Sequence, residues 1–310
     1  MDNQRVGLAR VFNVVEGTTQ SVESGALVEV SGTSPDSSVS TIGALGAADA
    51  CGAFPLVLGQ QTAGAPGGAL NAGKVRVFRG ATGSVTTAQA MATISGETED
   101  EAFGAQAKLQ DMNGDGCADI LVASATSVQS TLYYGAVSVH LAPFQDTAAT
   151  DASFYESGRG AFDLLKLTPA PEVDVDGDGS VDITVTGFGD DLQGFATIKD
   201  FSTGTSLAHY EGDAQDHSTF AWGDLNGDGV LDLAVGRPPT SQPGVEDVLL
   251  FTGPISGAVD PSHATWQIQG EHSFGTVFAR DYDGDGVSDL IVDRFDSEGS
   301  PVYFFPGARQ

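Results

Sequence analysis

Apolar residues along this 310-residue chain come in short blocks separated by turns. Some blocks are continuous, such as Ile120-Leu121-Val122 and Leu233-Ala234-Val235. Others alternate: Gly73-Lys-Val-Arg-Val-Phe78, Gly135-Ala-Val-Ser-Val-His140, Gly194-Phe-Ala-Thr-Ile198, Val245 to Phe251, and Pro301-Val-Tyr-Phe-Phe305. Alternation with a period of two marks half-buried strands. A further copy, Gly7-Leu-Ala-Arg-Val-Phe12, opens the chain. No long amphipathic helix is evident, and no apolar run approaches the roughly 18 residues a membrane helix needs. Forty-one glycines and 13 prolines punctuate the strands. The pattern predicts an all-β fold.

One acidic block recurs four times between the strands: Asp111-Met-Asn-Gly-Asp-Gly-Cys-Ala-Asp119, Asp174-Val-Asp-Gly-Asp-Gly-Ser-Val-Asp182, Asp224-Leu-Asn-Gly-Asp-Gly-Val-Leu-Asp232 and Asp281-Tyr-Asp-Gly-Asp-Gly-Val-Ser-Asp289. An apolar segment follows each block directly. Each unit therefore reads strand, acidic loop, strand, turn-rich loop, strand. A unit of roughly 50 to 65 residues has room for four strands, the size of a propeller blade.

Calcium takes six to eight hard oxygen ligands. Positions 1, 3, 5 and 9 of the block offer side-chain oxygens: Asp111, Asn113, Asp115 and Asp119; Asp174, Asp176, Asp178 and Asp182; Asp224, Asn226, Asp228 and Asp232; Asp281, Asp283, Asp285 and Asp289. The backbone carbonyl of position 7 completes each set, from Cys117, Ser180, Val230 and Val287. Glycine at position 6 permits the sharp turn. Two carboxylates about 4 Å apart repel by roughly 4 kcal/mol at an effective dielectric near 20, so packing several together calls for a dication. About four Ca²⁺ sites are expected.

Related motifs are excluded. An EF-hand needs Glu at position 12, which is Val122, Val185, Val235 and Val292 here. A dinucleotide fingerprint needs Gly where Asp119, Asp182, Asp232 and Asp289 stand. No Cys/His cluster suits zinc. The five histidines, His140, His209, His217, His263 and His272, are scattered, and neither a Gly-x-Ser-x-Gly elbow nor a His-Glu-x-x-His motif is present. The chain is expected not to be an enzyme. A net charge of −29 argues against nucleic acid and anionic membranes as partners.

These residues resemble the FG-GAP repeat, the blade unit of integrin-α-like β-propellers. Phe103-Gly104 and Phe274-Gly275 precede their loops as the family's Phe-Gly does, and Gly236-Arg237-Pro238 stands in place of Gly-Ala-Pro. His217-Ser218 replaces Phe-Gly in the fourth unit, and Ser124-Ala125 replaces Ala-Pro in the second. The resemblance covers about residues 40–310. It implies a single propeller domain with five recognisable four-stranded blades, at about residues 17–80, 92–143, 154–201, 209–253 and 266–307. Residues 1–16 then supply the outer strand of a preceding or divergent blade: either the first 45 residues hold a divergent blade, or the chain is part of a six- or seven-bladed ring. In the first unit Ala47, Asp49, Cys51 and Pro55 stand at positions 1, 3, 5 and 9, so that loop is expected to be metal-free.

The resemblance also implies that a ligand meets the face opposite the calcium loops. The segments concerned are about 60–72, 124–134, 187–193, 237–246 and 294–300, with connections near 144–158 and 254–266. Tyr133 and Tyr134 are candidate contacts, although packing on their strand is the simpler reading. A protein- or glycan-binding adhesion module is the first reading. An accessory domain of a larger secreted enzyme is the second, and a structural spacer the third. The start lacks an apolar leader core, which fits either a cytoplasmic chain or one whose leader is missing. Calcium sites of modest affinity favour a secreted or surface location. Cys51 and Cys117 occupy nearby loop positions in adjacent units. A disulfide between them and two unbonded turn residues both fit, the second being the default.

Overall fold

The computed structural model describes residues 8–11, 27–32, 39–44, 48–129, 132–158, 166–167, 181–188, 194–213, 218–237, 247–269, 273–295 and 301–308. Asp174, Asp176, Asp178, Ser180, His217, Pro238 and His272 lie outside these residues, as do most of the segments 187–193, 237–246 and 294–300. The described residues form strands and short 3-10 turns, with no α-helix among them. The chain divides into two compact units, Met1–Arg159 with Leu164–Lys166, and Gly160–Asp163 with Leu167–Gln310.

The first unit holds three sheets. One joins Leu8–Val11, Val28–Ser31 and Gly83–Thr86. The next runs Thr41–Ala44, Pro55–Gln60, Lys74–Arg79, Ala92–Ser95 and Thr147–Ala148. The third runs Gln106–Gln110, Asp119–Gln129, Leu132–His140 and Phe154–Ser157.

The continuous apolar runs follow from this stacking. Pro55–Gln60 is buried along its whole length. Leu56, Leu58 and Phe78 pack against Ala9, Val28 and Val30 on one side. Val57, Val75, Val77 and Ile94 pack against Phe103, Ala107, Ile120 and Val122 on the other. A strand between two sheets has no polar face to show, so its pattern does not alternate. Each fully buried aliphatic side chain contributes about 2 kcal/mol.

The second unit repeats the scheme. One of its sheets runs Ile183–Phe188, Gly194–Lys199, Ser206–Glu211 and Gly257–Val259. Another runs Thr219–Gly223, Asp232–Arg237, Asp247–Phe251 and Trp266–Gln269. A third joins Ser273–Arg280, Asp289–Phe295 and Val302–Phe305, three strands among the described residues where a four-stranded unit was expected. Leu233, Val235, Leu249 and Phe251, with Phe220 and Trp222 of the same sheet, face Ile198 and Tyr210. Ala234 and Val248 face Val277, Leu290 and Val292.

The sheets depart from the sequence repeats at their outer strands. Ala92–Ser95 opens the second repeat but pairs with Lys74–Arg79 of the first. Phe154–Ser157, Ser206–Glu211 and Trp266–Gln269 likewise pair back onto Leu132–His140, Gly194–Lys199 and Asp247–Phe251. A short strand laid parallel then covers three outer edges. Gly83–Thr86 lies along Val28–Ser31, Thr147–Ala148 along Ala92–Ser95, and Gly257–Val259 along Ser206–Glu211. A 3-10 turn follows each, at Thr87–Gln89, Ala149–Asp151 and Pro261–His263. Polar side chains fasten these turns: Gln89 accepts from the Thr86 N–H at 2.7 Å, and Asp260 from the Ser262 N–H at 2.8 Å. The arrangement leaves fewer bare sheet edges open to other chains. It also assigns parts of segments 144–158 and 254–266 to sheet pairing, where the sequence suggested ligand contact.

Phe103-Gly104 sits at the tightest packing in the first unit. Phe103 is buried, its ring edge-on to His140 at 6.1 Å. Its backbone runs against Gly73, where a Cβ would lie 2.2 Å from the Phe103 carbonyl oxygen. Gly104 has φ +84°, and its Cβ would meet the Lys74 carbonyl oxygen at 2.8 Å. The Phe-Gly pair therefore locks one sheet onto the next: the ring fills the core and the glycine lets the backbones touch.

Candidate metal centres

Three of the four acidic loops lie among the described residues and share one geometry. The first aspartate takes the backbone N–H groups of positions 4 and 6, and Asp224 also takes that of Asp228 at 3.2 Å. Asp111 accepts from Gly114 at 2.9 Å and Gly116 at 2.7 Å. Asp224 accepts from Gly227 at 2.6 Å and Gly229 at 2.8 Å, and Asp281 from Gly284 at 2.6 Å and Gly286 at 2.9 Å. The N–H of position 5 donates to position 3, at 3.1 Å to Asn113, 2.9 Å to Asn226 and 3.1 Å to Asp283. The N–H of position 7 donates to position 5, at 2.7 Å to Asp115 and 2.8 Å to Asp228 and Asp285.

In these three loops the glycines at positions 4 and 6 have φ between 74° and 86°, a region other residues enter at a cost. Glycine at position 4 stands in all four copies. That signal was available in the sequence and is as specific as the one at position 6.

The ninth aspartate does a second job. Asp119 accepts the Met112 N–H and the Ala142 N–H, both at 2.9 Å. Asp232 takes Leu225 at 2.9 Å and Gly253 at 2.8 Å, and Asp289 takes Tyr282 at 2.8 Å and Gly307 at 2.9 Å. Each thus ties the loop's start to the chain just beyond the unit's third strand. Asp119, Asp232 and Asp289 are buried, while positions 1, 3 and 5 are mostly exposed. Burial pushes the Asp119 and Asp232 carboxyls up, reinforced by the first and fifth aspartates of each loop. At Asp289 the Tyr282 N–H outweighs burial and holds the carboxyl below its usual range. Asp182, the ninth residue of the remaining loop, is also buried.

The donors fit calcium. Asp281, Asp283 and Asp285 each bring a carboxylate oxygen within 4.8 Å of the others. A carboxylate oxygen that accepts one N–H keeps a second lone pair. The set is all hard oxygen, and the glycine-shaped loops point it outward.

The first loop is built differently. Asp49 accepts from Arg79 Nη1 at 2.6 Å, from the Cys51 N–H at 3.0 Å and from the Ala118 N–H at 2.9 Å. The guanidinium is the main reason its carboxyl titrates below the ordinary range. Ala50 donates to the Gly116 carbonyl at 2.8 Å. Cys51 and Cys117 are bonded to each other, with Cα atoms 5.1 Å apart, which overturns the default of two free turn residues. Spacing in sequence could not show this, since the bond depends on two loops meeting side by side.

At the opposite end of the first unit's middle sheet, where Gln60 pairs with Lys74 and Lys74 with Ser95, lies an open cleft of about 570 Å³. Pro66, Lys74, Arg76, Glu97, Asp146 and Thr147 are among its walls. Two of the segments assigned to ligand contact, 60–72 and 144–158, therefore meet in one concavity. Tyr133 and Tyr134 lie on the strand Leu132–His140. Arg237, in the Gly-Ala-Pro place of the fourth unit, is buried and grips Asp247 through Nε and Nη2, each at 2.6 Å.

The chain matches no curated protein sequence. Residues 218–247, which span the loop Asp224–Asp232 and the Arg237–Asp247 pair, match the family model of the FG-GAP repeat, and the stacked all-β sheets fit a propeller-like FG-GAP protein.

Proposed function

We propose that this chain is a calcium-stabilised β-propeller that binds a protein or glycan partner, serves adhesion, and catalyses nothing. The observation that carries this reading is the repeated loop, with Asp281, Asp283 and Asp285 converging within 4.8 Å as the clearest case. Hard oxygens at that spacing serve a dication, and in each sheet that carries the acidic block the ion holds the first two strands together. About four ions fill the loops at 111–119, 174–182, 224–232 and 281–289, and the first loop carries none. The partner meets the face opposite the loops, where the cleft beside Lys74 and Arg76 offers charged groups of both signs. Neither nucleic acid nor membrane insertion is part of this function. No helix among the described residues is long and apolar enough to cross a membrane. The disulfide and the calcium loops together suit an oxidising, calcium-rich, extracellular setting, where FG-GAP domains are typically found.

Thermal melts in calcium, in magnesium and in EDTA test the metal half of the reading. Free calcium at 100 times its dissociation constant adds about 2.7 kcal/mol per site. The midpoint should rise by many degrees in calcium and little in magnesium. An unchanged midpoint overturns it. A glycan and protein array probed with the calcium-loaded chain tests the binding half, and silence across it favours a structural spacer.

A further inference from the structure

The loop Asp111–Asp119 differs from its counterparts in what holds its second half. Its sixth, seventh and eighth residues are each tied to the first loop: the Gly116 carbonyl by the Ala50 N–H, Cys117 by the disulfide, and the Ala118 N–H by the Asp49 carboxylate. Position 7 is the residue whose backbone carbonyl belongs in the ligand set. In the second unit, the corresponding link between loops among the described residues is one hydrogen bond, from the Ser288 N–H to the Asp224 carbonyl at 2.7 Å. The loop Asp281–Asp289 has three carboxylates at positions 1, 3 and 5. Asp111–Asp119 has Asn113 in the middle and one charge fewer. A loop with less charge gains more from being shaped beforehand, because ordering the backbone otherwise costs about 1–2 kcal/mol per residue.

We infer that Asp49 and Cys51 are positioning residues for the cation site at Asp111–Asp119, so that calcium binding there is thermodynamically coupled to the Cys51–Cys117 disulfide. The inference rests on the reading of these loops as calcium sites. Coupling is reciprocal. The disulfide tightens calcium at this loop, and calcium at this loop protects the disulfide from a dithiol reductant. In that reduction the Cys51–Cys117 bond breaks, each sulfur takes a proton from the dithiol, and the dithiol closes to its own disulfide.

The amides of Gly116, Gly229 and Gly286 each donate to the first aspartate of their own loop, so they report the three sites separately. The full chain, labelled with ¹⁵N-glycine, would be titrated with calcium as wild type and as Cys51→Ser/Cys117→Ser. The dissociation constant read at Gly116 should rise on the order of tenfold in the variant, while Gly229 and Gly286 stay as they were. An unchanged Gly116, or an equal weakening at all three glycines, overturns the inference. Silence at every glycine overturns the calcium reading beneath it. The dithiol–disulfide equilibrium of the wild-type chain gives a second readout, free of any folding defect in the serine variant. Calcium should shift it on the order of tenfold toward the disulfide, and this shift should vanish in Asp115→Asn. A shift that persists in Asp115→Asn, or none in wild type, rejects the coupling.

Discussion

The turn before Pro55–Gln60 and the turn before Asp289–Phe295 occupy the same place in their sheets, yet they settle charge in opposite ways. The second gathers Asp281, Asp283 and Asp285 and leaves them exposed, within reach of an ion from solution. The first keeps one carboxylate, Asp49, and meets it with the chain's own cation, Arg79, at 2.6 Å. A covalent bond from Cys51 then takes over the cross-bracing. On the proposed reading, one backbone design accepts either a borrowed dication or an internal guanidinium. The first turn should hold its shape in any medium, and the last only where calcium is present.

The largest expected effect breaks the covalent side of this contrast. Cys51→Ser/Cys117→Ser opens a bridge across 66 positions, and chain entropy sets the cost at about 4 kcal/mol, present in full in EDTA. Urea unfolding of the first unit would measure it. Next comes Arg79→Gln, which strands Asp49 with its side chain only 7% exposed. Breaking such a pair costs about 3 kcal/mol, and the loss should persist in EDTA. Asp285→Asn should behave conversely. It should cost about 2–3 kcal/mol in saturating calcium and close to nothing in EDTA. A calcium-independent loss would mean that the triad is a polar turn and no metal site.

The smallest effect separates acid from metal. Burial lowers His140 from 6.5 to about 4, and Ser138 Oγ meets its Nε2 at 3.2 Å. The unfolded chain binds this proton below pH 6.5, while the folded chain refuses it until about pH 4. Stability therefore falls as pH drops through that window. The loss between pH 8 and pH 5 is about 2 kcal/mol. Measured in EDTA, it should disappear in His140→Gln. If it stays, other groups govern the acid limb.

Much of this was legible in the sequence. The loops announced themselves because one spacing of Asp, Asn and Gly recurs four times, and the three described copies share one hydrogen-bonded geometry. The second and third strands of each unit with an acidic block were equally plain, one as a continuous apolar run and the other as an alternation. The outer strands were not. Trp266–Gln269 is largely exposed, so burial writes no pattern into it, and only its pairing with Asp247–Phe251 identifies it. The parallel strands such as Thr147–Ala148 are too short to carry a period. Arg79 directly follows the alternating segment 73–78, and nothing in the sequence singles it out. Its role comes from Asp49, a residue 30 positions away that the fold brings into contact. The ninth aspartate was assigned to the ion alone, because its backbone partners Ala142, Gly253 and Gly307 lie outside the acidic block and at no fixed distance from it, 23, 21 and 18 residues on.

The borrowed outer strands bear on how such a chain grows or shrinks over generations. A unit cut at its sequence repeat, as at residues 17–80, would leave behind Ala92–Ser95 and the Thr147–Ala148 strand that covers it. Unequal crossing-over at that boundary would hand each daughter a sheet closed by a neighbour's segment. Only neighbours whose connecting segments fit the receiving edge would survive the exchange. Inheritance in this architecture therefore runs through the connections, and a chimera designed to swap partners should be joined after residue 95 rather than after residue 80.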